Sequence, residues 1–352
     1  MVLSTGVEPR LKTVLARWIA SDPGRLVLST TKIAAQSLRL QLGEFLEGAI
    51  TIQAVETLEF REQLIKAIQT TESKFLVITD DRSYPSSRLL KSLANTFANP
   101  QVGGVTTARH VVPVMDGSLS TWESFHALNQ VRRRILHATL AYFHDGQVLN
   151  LGGFSAYRTA ILKTDEFYAE VRQETWLGKY KIVTGDDNTT TRFIIHRGWK
   201  SSFLNSNEDR IFAGGLNESR YLKQVSRWSR DTARSYITDV RFAVKSGRRR
   251  AYLHAGLNII ANYTSDALVL FEILFLFLTG IVALWNRTAW THFCNLSMEH
   301  LLTASAFTIM EHLPFFTTPS RLLYVPGTIL YMYLHAFIVM HALFTLHKVR
   351  CV

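Results

Sequence analysis

The chain has 352 residues, 19% of them charged and 47% hydrophobic, which excludes a disordered polymer and allows one sizeable domain with added elements or two modest domains. The formal net charge is +11, yet zinc-finger spacing and aromatic–basic RNA patterns are missing, so nucleic acid is not expected as a partner. Cys294 and Cys351 are the only cysteines, and neither lies in a CxxC pair, so no disulfide framework is expected.

Met1 to Pro9 is polar and has no apolar core of a secretory signal, so membrane insertion is expected to rest on internal segments. Residues 10–20 read as an amphipathic helix, with Leu11, Val14, Leu15 and Ile19 on one side. Strand character follows at 25–31, helix at 32–47, strand at 49–55, helix at 59–70 and strand at 74–80. A helix at 86–97 and a strand at 102–108 continue the alternation. Strands alternating with helices of this length predict an α/β fold with a mostly parallel sheet, whose ligands sit at the carboxyl ends of the strands. Asp80 and Asp81 stand at such an end.

Residues 118–143 read as one long helix whose Arg132-Arg133-Arg134 run is expected to form a solvated basic face. Helices are also expected at 186–197 and 220–245. Between Arg227 and Arg250 there are eight cations and two acids. Beyond about residue 255 the chain turns apolar and aromatic. Asp266–Trp285 and Leu323–Leu346 are long enough to cross a bilayer, and Leu296–Leu313 is a weaker candidate interrupted by Glu299, His300, Glu311 and His312. Glu272 should face protein or water, and Arg248–Arg250 mark their flank as cytosolic. The expected division is therefore 1–245 as a catalytic domain and 246–352 as interfacial and transmembrane helices of an integral membrane protein.

Three short segments carry candidate chemistry. Thr79-Asp80-Asp81 can offer a carboxylate to Mg2+ or Mn2+, which in turn holds a diphosphate; it can equally be a strand-end turn. Gly185-Asp186-Asp187 opens a helix, where a carboxylate is either a cap or a general base. Gln224-Val225-Ser226-Arg227-Trp228 presents an amide, a guanidinium and an indole on neighbouring helical turns, suited to a diphosphate and a sugar face.

In this order, the segments make the chain resemble the family 2 glycosyltransferases, which include hyaluronan, chitin and cellulose synthases, and among them the fungal hyaluronan-synthase-like polysaccharide synthases. The resemblance spans nearly the whole chain. It includes Arg61-Glu62-Gln63, Asp81 with Pro85, Gly152-Gly153 through Tyr157-Arg158, Thr191-Arg192 and the His335–His347 stretch. It implies a GT-A fold that binds a UDP-sugar with a metal and extends a glycan acceptor at a lipid membrane, with inversion. By that resemblance Asp81 is the metal ligand, Asp187 with Asp186 forms the catalytic pair, and Gln224, Arg227 and Trp228 contact diphosphate and acceptor. Gly152, Gly153 and Arg158 border the acceptor, and Asp80 and Arg61 join the substrate contacts.

Two departures stand out. Thr79 occupies a place where the family has an acid, and strand alternation should point Asp80 away from Asp81. The family's first strand and its nucleotide-side loop are expected to be missing ahead of the helix at 10–20. Transfer to a lipid, as in ceramide glucosyltransferases, and a non-catalytic membrane relative are the competing readings.

Overall fold

The computed structural model describes residues 1–352 apart from 5–7, 9, 44–49, 57–58, 116, 145–147, 149–150, 248, 286, 317–318 and 350–352. The amino-terminal half alternates as expected: β1 (Val2–Leu3), α1 (Leu11–Ala20), β2 (Leu26–Thr31), α2 (Lys32–Leu42), β3 (Ile50–Val55), α3 (Phe60–Thr70), β4 (Phe75–Asp80), β5 (Ser83–Pro85), α4 (Leu89–Thr96), β6 (Val102–Thr107) and β7 (Arg109–Val112). Then come α5 (Thr121–Phe143), β8 (Phe154–Arg158), α6 (Thr159–Leu162), α7 (Asp165–Gln173), β9 (Thr175–Trp176), β10 (Tyr180–Lys181), α8 (Asp186–His196), β11 (Lys200–Leu204) and β12 (Ile211–Gly214). Four helices close the chain: α9 (Glu218–Ser246), α10 (Arg249–Ala283), α11 (Arg287–Glu311) and α12 (Val325–Phe344).

The main sheet has seven strands in the order β11-β6-β8-β4-β1-β2-β3. Every neighbouring pair is parallel except those of β8, which runs antiparallel to both β4 and β6. Successive residues of a strand point to opposite faces, so Val2 packs in the core layer with Leu15, Trp18 and Leu28, while Leu3 packs in the other with Leu64, Ile78 and Phe193. A small sheet, β5-β12-β7, sits beside the strand ends.

One sequence expectation is corrected here. The first strand, taken as missing, is present in the two residues of β1, which fill the central position between β2 and β4 (Leu3 opposite Ser29 and Asp80). The Ser4 amide continues the ladder to the Ser29 carbonyl. The sheet therefore has no gap at its centre, and the residue after β1 lies next to the end of β4.

Local chemistry accounts for the helices that frame the site. Ser120 and Glu123 form a reciprocal capping box at the start of α5. Asn217 caps α9, and Gly247 ends it in the left-handed conformation. α9 packs on α10 and α12, with Tyr221, Val225, Phe125 and Tyr331 in a third apolar cluster. Two helical segments, Ala255–Ala283 with mean hydropathy 2.2 and Val325–Phe344 with 1.5, are long and apolar enough to cross a bilayer. α11 fails that test; its Glu299, His300 and Glu311 lower its apolar character. Glu272 turns inward and meets His300 at 2.6 Å and the Tyr333 hydroxyl.

Candidate active site

A cleft of about 1150 Å³ opens at the carboxyl ends of the parallel strands. It is bordered by Thr79 and Asp80 from β4 with Asp81 just beyond, by Asp186 and Asp187 from α8, and by Gln224, Arg227 and Trp228 from α9. Three segments spaced over some 150 residues of chain thus meet in one concavity.

β4 ends at Asp80, so strand alternation no longer governs Asp81, and both carboxylates border the cleft with different partners. Asp80 takes the Arg82 amide at 3.2 Å and faces Arg109 at 3.5 Å. Burial alone would raise its pKa, but the positive charges of Arg109 and Arg82 outweigh that and hold it below the usual carboxylate range. Asp81 instead accepts from the Ser4 hydroxyl at 2.6 Å. Burial pushes it up to about 6, the negative charge of Asp80 adds to the rise, and the Ser4 hydrogen bond opposes it.

The turn before α8 depends on Gly185, which sits at φ 68°. A side chain there would be strained by that angle and would also press on the Asp231 carboxyl carbon, 3.3 Å from the position of its Cβ. Asp186 and Asp187 follow in the first turn of the helix, where the dipole favours anions. Asp187 Oδ1 accepts from the Asn188 amide at 2.9 Å. Burial, and then the neighbouring Asp187 charge, push Asp186 up to about 6.

On α9 the side chains of Gln224 and Arg227 meet, Arg227 Nη2 donating to Gln224 Oε1 at 2.6 Å. The same guanidinium lies 3.6 Å from Asp231, one turn further on. Asp231 accepts from the Thr184 hydroxyl at 2.7 Å and pairs with Arg234. Burial raises the Asp231 pKa against the pull of Arg227 and Arg234.

Sequence reasoning missed six cations of the cleft, Arg82, Arg109, Arg133, Lys179, Lys181 and Arg220, of which Arg109 and Arg133 bear most on its chemistry. Arg109, at the start of β7, pairs with Asp80 and donates to the Gly153 carbonyl. Gly153, at φ 83°, has no room for a side chain beside that guanidinium. Arg133 also borders the cleft and corrects the expectation of a solvated basic face. Its neighbour Arg132 turns inward to Asp266 and His335 Nδ1 (2.8 Å), and Arg134 binds Asn205. Among the described residues, Arg133 makes no hydrogen bond or ion pair; burial and the nearby Arg109 lower its pKa. The available signal was helical spacing, since three consecutive residues of a helix cannot share one face.

Arg61, Arg158 and Gly152 do not border the cleft among the described residues. Arg61 is 2% exposed and donates to the carbonyls of Val171 (2.7 Å) and Thr184 (2.8 Å), to Thr189 Oγ1 and to Glu174 (2.6 Å). It braces the turn before α8 from behind. Arg158 lies opposite Phe75 because β8 runs antiparallel, which carries its last residue to the amino end of β4, away from the cleft. There it donates to the carbonyls of Val102, Phe97 and Asn99. Gly152 lies in the turn just before β8.

Whether the cleft suits a divalent cation can be judged from its donors. Among the described residues no three His, Cys, Asp or Glu side chains form a protein-only cage. Asp81 is a hard oxygen donor at the cleft wall that takes a hydroxyl from Ser4, and burial, more than its charged neighbours Asp80, Arg82 and Glu8, keeps its pKa raised. One carboxylate completed by substrate phosphates and water suits Mg2+ or Mn2+.

A family model described as "Glycosyltransferase like family 2" matches residues 41–231. A "Type 2 glycosyltransferase" of Gibberella zeae is 26% identical over 349 residues, covering 97% of this chain and 64% of that protein. One of Pyricularia oryzae is 25% identical over 347 residues, covering 97% and 69%. The chain thus spans less than two thirds of the length of the first of these relatives. Among solved structures, the mannosyltransferase PcManGT from Pyrobaculum calidifontis, in complex with GDP-Man and Mn2+, matches with a TM-score of 0.58 at 13% identity, covering 96% of this chain and 84% of that one. At that identity the likeness is one of fold.

Proposed function

The chain belongs to the family 2-like glycosyltransferases, and from that premise we propose that it transfers a sugar from a UDP-sugar to a growing polysaccharide, with inversion, at the cytosolic face of a membrane. The observation that carries this reading is the meeting of Asp81, Asp187 and Arg227 in one cleft large enough for a nucleotide-sugar and an acceptor sugar.

Asp187 is assigned as the general base. It takes the proton of an acceptor hydroxyl as that oxygen attacks the anomeric carbon from the side opposite the diphosphate. The new glycosidic C–O bond forms as the bond from the anomeric carbon to the phosphate oxygen breaks, and UDP leaves with the electron pair. Asp81 would hold Mg2+ or Mn2+, which when bound supplies positive charge to the diphosphate. Arg227, oriented by Gln224, grips the diphosphate from α9, and Arg109 adds a second cation near Asp80. Trp228 offers a flat face for the acceptor ring.

Membrane attachment is supported by α10 and α12. The large apolar residues of α10, among them Leu268, Phe271, Leu274, Phe277 and Ile281, are exposed, unlike those of a soluble core helix. Its one acid within the final apolar stretch, Glu272, is turned toward α11 and α12.

The test uses the full chain in lipid nanodiscs with Mn2+ and radiolabelled UDP-glucose, UDP-N-acetylglucosamine or UDP-glucuronate. The expected result is metal-dependent UDP release with label entering a polymer, and Asp187→Asn lowers it by about 10²-fold or more. A rate unchanged by that substitution refutes the base assignment, and label confined to a single-sugar lipid refutes the polysaccharide acceptor.

A further inference from the structure

We infer that Asp231 is a positioning residue that holds the acceptor-activating turn and the donor-gripping arginine in fixed register. The inference rests on the reading of Asp187 and Arg227 given above.

Asp231 is 6% exposed and its carboxylate is engaged on three sides. Oδ1 accepts the Thr184 hydroxyl at 2.7 Å, one residue before Gly185 and two before Asp186. The same oxygen takes Arg234 from the next turn of α9. Oδ2 faces Arg227 Nη1 at 3.6 Å. The other edge of the Arg227 guanidinium is tied to Gln224 at 2.6 Å. The longer contact to Asp231 is the one that an incoming diphosphate can shorten or break.

Contact with the turn is steric as well as polar. The place of a Cβ on Gly185 is 3.3 Å from both Cβ and Cγ of Asp231. From the opposite side, the Thr184 carbonyl is fixed by Arg61 at 2.8 Å. The turn is therefore clamped between a rigid brace on α3 and a carboxylate on α9, and only the second of these also touches the donor-binding arginine. Movement of Arg227 toward the diphosphate changes the charge that Asp231 feels, and Asp231 transmits the change to Thr184 and so to Asp186 and Asp187. Arg234 anchors the carboxylate because its Nη1 donates to the carbonyls of Leu346 (3.0 Å) and Lys348 (3.1 Å).

The experiment uses the full chain in nanodiscs and four variants: Asp231→Asn, Asp231→Ala, Thr184→Val and the Thr184→Val/Asp231→Ala double. Amide exchange at residues 184–188 is measured with and without UDP and Mn2+, beside the kcat and donor KM for transfer. In the wild type UDP should slow exchange of the turn by about fivefold or more, and Asp231→Ala and Thr184→Val should abolish that response. Each single change should lower kcat by about tenfold, with the double no worse than Asp231→Ala alone. Asp231→Asn keeps an oxygen for Thr184 and should recover part of kcat while leaving the donor KM raised. Persistence of the UDP response in the variants, or effects that multiply in the double, overturns the inference. If Asp231→Ala does not fold, Asp231→Asn and Thr184→Val decide by the same readouts. A wild type whose turn responds to UDP but which transfers no sugar refutes the proposed reaction and leaves the coupling standing. A wild type whose turn ignores UDP refutes the coupling at any transfer rate.

Discussion

Glu174→Gln is the substitution whose cost the structure defines most sharply. Glu174 lies between Arg61, at 2.6 Å, and Arg192, with the Thr189 hydroxyl at 2.5 Å. Both guanidiniums are buried, at 2% and 7% exposure. The amide keeps the shape and one acceptor oxygen but leaves two buried cations facing each other without a carboxylate in direct contact. Removing one partner of a buried pair costs roughly 3–5 kcal/mol; the second cation drives the value up and the retained acceptor brings it down, so about 3–4 kcal/mol is expected. That is a large part of an ordinary folding stability of roughly 5–15 kcal/mol. Equilibrium urea unfolding of wild type and variant in matched detergent measures it. The pH dependence is an internal check. Burial would raise the Glu174 pKa, but Arg192 and Arg61 win and lower it below its ordinary value of 4.5. Its contribution is therefore complete above that value and is lost as pH falls through the depressed one, so the two proteins should converge in acid. A cost under about 1 kcal/mol at neutral pH, or a gap that widens in acid, refutes the reasoning.

Three further outcomes are expected. Because Asp81 is pushed up to about 6, a proton competes with the cation below that pH, and Mn2+ affinity in the presence of UDP should fall about tenfold per pH unit there while staying flat above pH 7; calorimetry checks the slope. Arg133→Met removes a buried cation that makes no hydrogen bond or ion pair among the described residues but whose charge reaches Asp187, so the melting temperature should stay level or rise while transfer falls by about tenfold or more, read by paired melting and turnover assays. Arg158→Met removes a donor from three carbonyls, of which that of Asn99 keeps the Val102 amide, and a cation from two phenylalanine rings, costing about 2–4 kcal/mol in unfolding experiments, yet UDP affinity by calorimetry should not change.

The α/β alternation was legible because each strand of the first half is short, apolar and separated by an amphipathic helix. The cleft was legible where chemistry concentrates in a few adjacent residues, as in Thr79–Asp81, Gly185–Asp187 and Gln224–Trp228. Two kinds of information were hidden. A strand direction is a tertiary property, and the antiparallel course of β8 sends Arg158 to the far edge of the sheet although Gly153 borders the cleft. A buried ion network is equally invisible before folding: Arg61 and Glu174 are 113 positions apart, and nothing local tells a brace from a substrate contact. β1 escaped notice because two residues cannot display a period; only their place between β2 and β4 makes them a strand.

The run Arg132-Arg133-Arg134 has a mechanical consequence. Successive residues of a helix are turned by about 100°, so the three guanidiniums of α5 point along three spokes of one wheel. One spoke engages Asp266 and His335 among the apolar helices, the next reaches the cleft, and the third is tied to Asn205 beyond β11. An axle held this way cannot roll at one end alone: a twist begun at Asp266 would swing the cation beside the cleft by the same angle. Inserting or deleting a single residue upstream within α5 would misalign all three spokes at once.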